Sequence, residues 1–124
     1  MKKELEQISK EDGRYSHQAA KFVYEGLSYT VKNVVEEPGH VSGSTLCEGL
    51  RQLAIEKWGL LTLLVLNTWG VRTTRDFGEI VYLMIEHQWM SAQPNDTIDD
   101  FNDVYDFEKA FYEDFRIMPP PPSA

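Results

Sequence analysis

Apolar residues recur at helical spacing along most of this chain, and that periodicity constrains the fold more than any other feature. It runs through residues 15–32, from Ser42 or Ser44 to Trp58, and through residues 75–87. Side chains three and four positions apart lie on one face of a helix. The sequence therefore predicts a mainly α protein, a small single-domain helical bundle. Residues 27–31 also alternate, so a short strand there stays open as an alternative.

Two shorter helices complete the predicted bundle. Residues 60–69 are apolar on nearly all sides and lie between Gly59 and Gly70, which predicts a helix at the centre of the core. Asp106 is placed to cap a last helix over residues 107–115.

The domain boundaries follow from polarity. Residues 1–14 are predicted to be a polar N-terminal arm, either a short helix or a loose segment. Residues 15–116 are predicted to form one globular helical domain, which includes an acidic C-terminal arm at 95–116. Residues 117–124 are rich in proline and predicted to be disordered.

The centre of the chain has the order of a helix-turn-helix. Residues 60–69, the tight connector at 70–74 and the amphipathic stretch at 75–87 provide a short helix, a turn with glycine and a second helix. If residues 89–105 form a short β-hairpin, the unit becomes winged-helix-like; the alternative is an arm laid across the body.

Composition excludes several classes of site. Cys47 is the only cysteine, so an internal disulfide and a multi-cysteine zinc site are excluded. The three histidines are scattered, and we predict no metal, no cofactor, no catalytic residues and no enzymatic activity. The charged start lacks the apolar core of a signal peptide. The longest apolar stretch, residues 60–66, is too short to span a bilayer. We therefore expect a cytoplasmic protein without membrane contact.

The negative charge is concentrated at one end of the chain. The net charge is −8, and residues 95–124 carry −6 of it, with two basic and eight acidic side chains. This balance counts against nucleic-acid binding, which depends on neutralising phosphates, but a local basic patch could still bind.

Several blocks of sequence resemble a known family. They are Gly26-Leu-Ser-Tyr-Thr30, His40-Val-Ser-Gly43, Asn67-Thr-Trp-Gly-Val-Arg-Thr-Thr-Arg-Asp-Phe-Gly-Glu-Ile-Val81 and Asp100-Phe-Asn-Asp-Val-Tyr-Asp-Phe107. In this order they resemble a small conserved family of the Planctomycetes–Verrucomicrobia–Chlamydiae group of bacteria, over about residues 15–111. The resemblance implies no enzymatic activity and no cofactor, and it associates the chain with a housekeeping role linked to nucleic acid.

Two helix beginnings are candidate anion-binding sites. At the first, the residues are His40, Ser42, Gly43 and Ser44; at the second, they are Arg72, Thr73, Thr74 and Arg75. Free backbone N–H groups and the helix dipole favour anions at such positions. The plainer interpretations are a turn with an N-cap and an ordinary helix pair, in which the arginines are solvated or paired with Asp76 and Glu79.

The acidic arm offers a different surface. Its candidate partner-binding residues are Phe101, Val104, Tyr105, Asp106 and Phe107. The arm could dock a basic partner or cover a basic groove. In the plainer interpretation, its aromatic side chains anchor it to the body and its carboxylates face water.

We therefore carry two functional hypotheses. The leading one is a non-enzymatic protein associated with DNA or RNA, with weak sequence preference. The alternative is a protein–protein interaction or assembly module that acts through the acidic, aromatic arm. The sequence leaves the partner's identity and the oligomeric state open.

Overall fold

Five α-helices and three shorter helical turns make up the structure, a computed structural model that describes residues 2–35 and 41–113. The helices are α1 (Leu5–Asp12), α2 (His17–Asn33), α3 (Gly43–Trp58), α4 (Thr62–Thr68) and α5 (Thr74–Glu86). The turns are 3-10 turns at Gly59–Leu61 and Ile98–Phe101 and a π turn at Lys109–Glu113. The described residues contain no strand. The predicted mainly α class is therefore confirmed.

Local capping explains where the main helices begin. The Ser42 hydroxyl accepts the Thr45 N–H at 3.2 Å and starts α3, as predicted. Thr73 starts α5 through a capping box, in which its hydroxyl accepts the Asp76 N–H while the Asp76 carboxylate accepts the Thr73 N–H. Each such cap stabilises a helix by about 1 kcal/mol.

Glycines allow α2 and α3 to pack closely. A Cβ atom at Gly26 would overlap the Leu50 side chain, and one at Gly49 would overlap Thr30. The buried Thr30 hydroxyl donates to the Gly26 carbonyl oxygen at 2.7 Å, so it is satisfied within its own helix. This helix pair forms one side of the core, and no strand forms at residues 27–31.

The N-terminal segment corrects a predicted boundary. Residues 1–14 were expected to lie outside the domain, but α1 packs on α2 and buries Leu5 and Ile8. Trp89 adds a second attachment, because its indole N–H donates to the Lys3 carbonyl oxygen at 2.7 Å. Two apolar residues one turn apart are a weak signal in sequence, although they are enough to seat a short helix.

The helix predicted at the centre of the core is instead at its edge. Of α4 and the preceding 3-10 turn, only Thr62 and Leu66 are buried, whereas Leu60, Leu61 and Leu64 are exposed. The prediction of a central helix is therefore wrong. The sequence pattern shows which faces of a helix are apolar. Whether those faces are buried depends on whether neighbouring elements cover them.

Residues 89–105 do not form the hairpin that the sequence left open. They contain a turn at residues 94–95 and the 3-10 turn at Ile98–Phe101, without a strand. The Asp96 carboxylate accepts the Gln93 N–H, and the Asp100 carboxylate accepts the Thr97 N–H. Such local side-chain bonds compete with a β-ladder for backbone N–H groups. The winged-helix interpretation therefore lacks its wing.

The helix-turn-helix order is present without the usual packing. α4 packs on α3 and on residues 109–113, whereas α5 packs on α2 and on residues 98–101, and the two helices scarcely contact each other.

No described helix is both long enough and apolar enough to cross a bilayer. The proline-rich tail at 117–124 and the end of the domain at 114–116 lie outside the described residues.

Candidate functional site

The arginine at the start of α5 is held by acidic and amide groups. Arg75 Nε lies 3.1 Å from Glu79 Oε1, and its Nη1 lies 3.0 Å from Asp99 Oδ1 and 2.9 Å from Asn102 Oδ1. The hydrogen bond that Arg75 donates to Glu79, followed by the one to Asp99, raises the pKa of its guanidinium against the opposing effect of burial. Pairing with Glu79 was one of the plainer interpretations, and it is confirmed.

A second arginine shares the same carboxylate. Arg14 Nη1 lies 2.7 Å from Glu79 Oε2, and Nη2 lies 3.0 Å from Asp12 Oδ1. Hydrogen bonds from Arg14 and then from Arg75 hold the pKa of Glu79 below its usual value, against the opposing effect of burial. The two cations and their three carboxylates therefore form one closed ion network.

The other predicted residues at the start of α5 serve the fold. Thr73 is the N-cap, and Thr74 is buried, with its hydroxyl donating to the Phe101 carbonyl oxygen at 2.7 Å and accepting the Val104 N–H at 3.1 Å. The Arg72 side chain is exposed, while its backbone N–H donates to the Asp76 carboxylate at 2.8 Å.

The predicted anion turn before α3 is likewise occupied by the chain itself. Ser42 is the N-cap, and its Oγ lies 3.3 Å from Ser44 Oγ. Gly43 is buried, and a Cβ there would lie 3.0 Å from the Phe101 ring and 3.1 Å from Asp100 Cβ. His40 lies outside the described residues. Residues 98–101 thus pack against both helix beginnings, as expected if the acidic arm covers that surface.

The aromatic side chains of the acidic arm are part of the core. Phe101 and Phe107 are buried, and the Tyr105 hydroxyl donates to the Cys47 carbonyl oxygen at 2.7 Å. Val104 is half-buried, and the Asp106 carboxylate caps the following turn by accepting the Lys109 N–H at 2.9 Å. Carboxylates at 99, 100, 103 and 106 belong to exposed residues. The anchoring interpretation of the arm is confirmed, because its aromatic side chains pack into the body.

The described residues hold no cluster of three or more His, Cys, Asp or Glu side chains that could bind a metal ion. Burial raises the pKa of the Cys47 thiol to about 12. A buried, neutral thiol is a structural residue rather than a nucleophile.

The described surface has an apolar groove of about 840 Å³, which was not among the sites predicted from the sequence. We call it the α2–α5 groove. Its walls come from α2, α5, the start of α3 and residues 89–101. The lining residues are Tyr24, Leu27, Ser28, Val31, Val41, Ser42, Gly43, Leu46, Val81, Tyr82, Ile85, Trp89, Met90, Ser91, Ala92, Gln93, Asp96, Thr97, Asp100 and Phe101.

Aromatic side chains at the groove are held in place by neighbours. The Trp89 ring is fixed by its bond to Lys3, by the Lys2 ammonium 4.1 Å from the ring centroid, and by the edge of Tyr24, 5.5 Å away between centroids. Rings of this kind offer a large apolar area at a small cost in conformational entropy. The groove is therefore preformed on that side.

The charged side chains among the described lining residues are both acidic. Asp96 and Asp100 belong to its lining, and after desolvation the two carboxylates raise the pKa of the Tyr82 hydroxyl, in that order. The described lining residues include no Lys, Arg, His, Cys or Glu. The described lining therefore combines apolar walls with two carboxylates and includes no basic side chain.

A signal for the groove is present in the sequence of α2. Ala19, Phe22, Val23 and Thr30 form the buried face of this helix. Tyr24, Leu27 and Val31 repeat at helical spacing on a second face, and Tyr24 and Val31 are exposed. Two apolar faces on one helix indicate that one of them is not fully covered by the other described residues.

Comparison with known proteins adds no relative: no family model matches the chain, and neither a curated protein nor a solved structure matches it significantly. The bacterial family resemblance therefore stays a prediction.

Proposed function

We propose that this chain is a non-enzymatic protein-interaction module, and that the α2–α5 groove binds an amphipathic helical segment of another protein. The proposal agrees with the alternative hypothesis that the chain binds another protein, but it places the binding surface at the groove instead of the acidic arm. The bound segment would place apolar side chains in the groove and a Lys or Arg near Asp96 and Asp100.

The observation that carries this proposal is the open apolar groove. Its volume of about 840 Å³ lies within the range of functional ligand sites. Val31 keeps 49% of its surface exposed, and Tyr24 keeps 41%. Contiguous apolar surfaces of this kind on soluble domains commonly mark interaction sites.

The partner's conformation follows from the architecture. Because the described residues contain no strand, the groove offers no sheet edge to which an extended peptide could add. Helical walls instead suit the helix-in-groove mode, in which a partner helix lays its apolar face between them.

The partner's charge follows from the groove's electrostatics. The carboxylates of Asp96 and Asp100 act on Tyr82, so their field reaches the lining. A partner ammonium or guanidinium beside them would be favoured, and an acidic segment would be repelled. The overall charge of −8 would also speed association with a basic segment.

Nucleic-acid association stays a prediction, supported by the family resemblance and by the exposed Arg72. The pairing of Arg14 and Arg75 with carboxylates, and the acidic turn against both helix beginnings, count against it. A binding surface that already satisfies its cations gains little from releasing the counterions of a phosphate backbone.

A peptide selection tests the proposed groove. A library of random peptides displayed on phage is selected on the full-length chain, and enriched peptides are synthesised and titrated by fluorescence anisotropy. We expect peptides with apolar residues at helical spacing and at least one Lys or Arg. Val31→Lys should abolish their binding, because it puts a positive charge on the apolar wall.

The matched control is Leu64→Lys, which makes the same charge change at an exposed helical position outside the groove. It should leave peptide binding unchanged. Enriched peptides that bind Val31→Lys as well as they bind the wild type would exclude the groove as the site.

A second titration decides between the two hypotheses. The full chain is titrated with short duplex DNA and RNA at low and at moderate salt. We expect no salt-dependent binding. Binding that weakens steeply with salt, and that is lost in Arg72→Ala with Arg75→Ala, would restore the nucleic-acid hypothesis and its original site.

A further inference from the structure

Three leucines at the corner between α3 and α4 form an exposed apolar surface. Leu60, Leu61 and Leu64 keep 57%, 61% and 64% of their surface in solvent. Leu61 and Leu64 are three positions apart, so they continue from the 3-10 turn onto one face of α4. Tyr112, also exposed, belongs to the π turn that packs against these elements. Single exposed leucines are common on monomers, but a contiguous group usually marks a contact.

This leucine surface, defined as Leu60, Leu61 and Leu64, is separate from the α2–α5 groove. None of the three residues lines the groove, and α4 contributes no wall to it. The inner side of the same corner is already packed, since Trp58 and Trp69 meet edge to face at 5.3 Å and Phe22 lies 4.9 Å from Trp58. The leucines are therefore the outward face of a corner whose inner side is packed.

Charge indicates which partner fits this surface. Residues 58–71 contain no Asp, Glu, Lys or Arg, although 26% of the chain is charged. A basic partner would find its counter-charges elsewhere, among the carboxylates after residue 95. Two copies of the chain, each at −8, repel one another, and this repulsion is weakest where the surfaces that meet carry no charge.

We infer that the chain forms a symmetric dimer through the leucine surface, with a second copy as its occupant. A two-fold axis pairs a surface with itself, and an uncharged leucine surface is complementary to its own copy. The surface is small beside a standard interface, so the dimer should be weak, with a dissociation constant on the order of micromolar or above.

The test is the molar mass of the full-length chain, measured by sedimentation equilibrium over a range of concentrations. The wild type should rise from 14.3 kDa towards twice that mass. Leu64→Lys should stay monomeric over the same range. Because this change lowers the net negative charge, weaker repulsion would by itself favour association, so its loss reports on the leucine surface.

Val31→Lys is the matched control, with the same charge change in the groove, and it should dimerise like the wild type. Leu61→Lys serves as a second variant should Leu64→Lys fold poorly by circular dichroism. Failure of the groove proposal would leave this result unaffected, because the two surfaces share no residue.

Two results would overturn the inference. In the first, the wild-type chain stays at 14.3 kDa at the highest concentration measured, which would mean that no second copy binds the leucine surface. If Leu64→Lys also lost thermal stability, the leucines would be covered by other residues of the same chain. The other is a Leu64→Lys variant that associates as strongly as the wild type.

Discussion

The start of α5 and the α2–α5 groove lie on the same body but differ in how far the chain satisfies them. At the start of α5, Arg75 is bound by Glu79, Asp99 and Asn102 within the protein. At the groove, Tyr24 and Val31 are left exposed to solvent. Charged groups that already have partners make a poor docking surface, whereas apolar groups without cover make a good one. If the groove binds a partner as proposed, the groups left exposed after folding identify the interaction surface better than residue type does.

Phe101 joins these two regions, so its removal should have the largest effect. Its ring lies against Gly43 and Gly78 and also lines the groove. Phe101→Ala should lower the free energy of unfolding by about 3–5 kcal/mol, the usual cost of such a cavity. Urea denaturation measures this, with Val31→Ala as an exposed control that should change stability by less than about 0.5 kcal/mol. Equal losses in both variants would mean that Phe101 does not anchor the acidic segment.

Thr74→Val tests the hydrogen bonds between α5 and the acidic arm. Valine keeps the shape of the threonine side chain, but the Phe101 carbonyl oxygen and the Val104 N–H lose the hydroxyl that they both bond. Unsatisfied buried groups cost about 1–3 kcal/mol, so stability should fall by that amount. Thr74→Ser keeps the hydroxyl and should recover most of the loss. Amide hydrogen exchange at Val104 should also speed up in the valine variant, and unchanged exchange would contradict the account.

Removing the two carboxylates of the groove tests whether they contribute to peptide binding. Asp96→Asn with Asp100→Asn keeps oxygen acceptors for the Gln93 and Thr97 N–H groups while deleting both charges. The affinity for a groove-binding peptide that contains Lys should fall by about fivefold, or about 1 kcal/mol, the scale of an exposed ion pair. A peptide with norleucine in place of that Lys should show no change. Anisotropy titrations of both peptides measure this, and equal losses would place the carboxylates outside the site.

The smallest effect should come from the ion network at the start of α5. Glu79→Gln breaks pairs with two partly exposed arginines, so the loss of stability should be about 1 kcal/mol or less. Because the folded pKa of Glu79 lies below its usual 4.5, the wild type's advantage is present above pH 4.5. It should disappear as the pH falls through the lowered folded value. Denaturation of both proteins across acidic pH checks this; an advantage that grows in acid would have the wrong sign.

Local signals in the sequence predicted the main helices well. Ser42 and Thr73 mark the beginnings of α3 and α5, because a cap and its N–H partner lie within three residues. The apolar stripes of α2, α3 and α5 gave their extents. The anchoring role of the arm's aromatic residues was also among the interpretations that the sequence left open.

Contacts between distant residues could not be predicted in the same way. Glu79 is 65 positions from Arg14, and Asp99 is 24 positions from Arg75, so the ion network appears only after folding. The groove needs walls from four separate segments, and the exposure of Leu64 depends on which elements fail to cover α4. Periodicity identifies an apolar face but does not identify its partner.

The position of a bound peptide can be mapped onto the backbone amides of the chain. Nuclear magnetic resonance spectra of the full-length, isotopically labelled chain are recorded as an enriched peptide is added. If the groove is the binding site, chemical-shift changes will be concentrated at Tyr24, Leu27, Tyr82 and Trp89, with little change at residues 72–75. Changes concentrated at residues 72–75 or at the leucine surface, with the groove amides unmoved, would exclude the groove as the binding site.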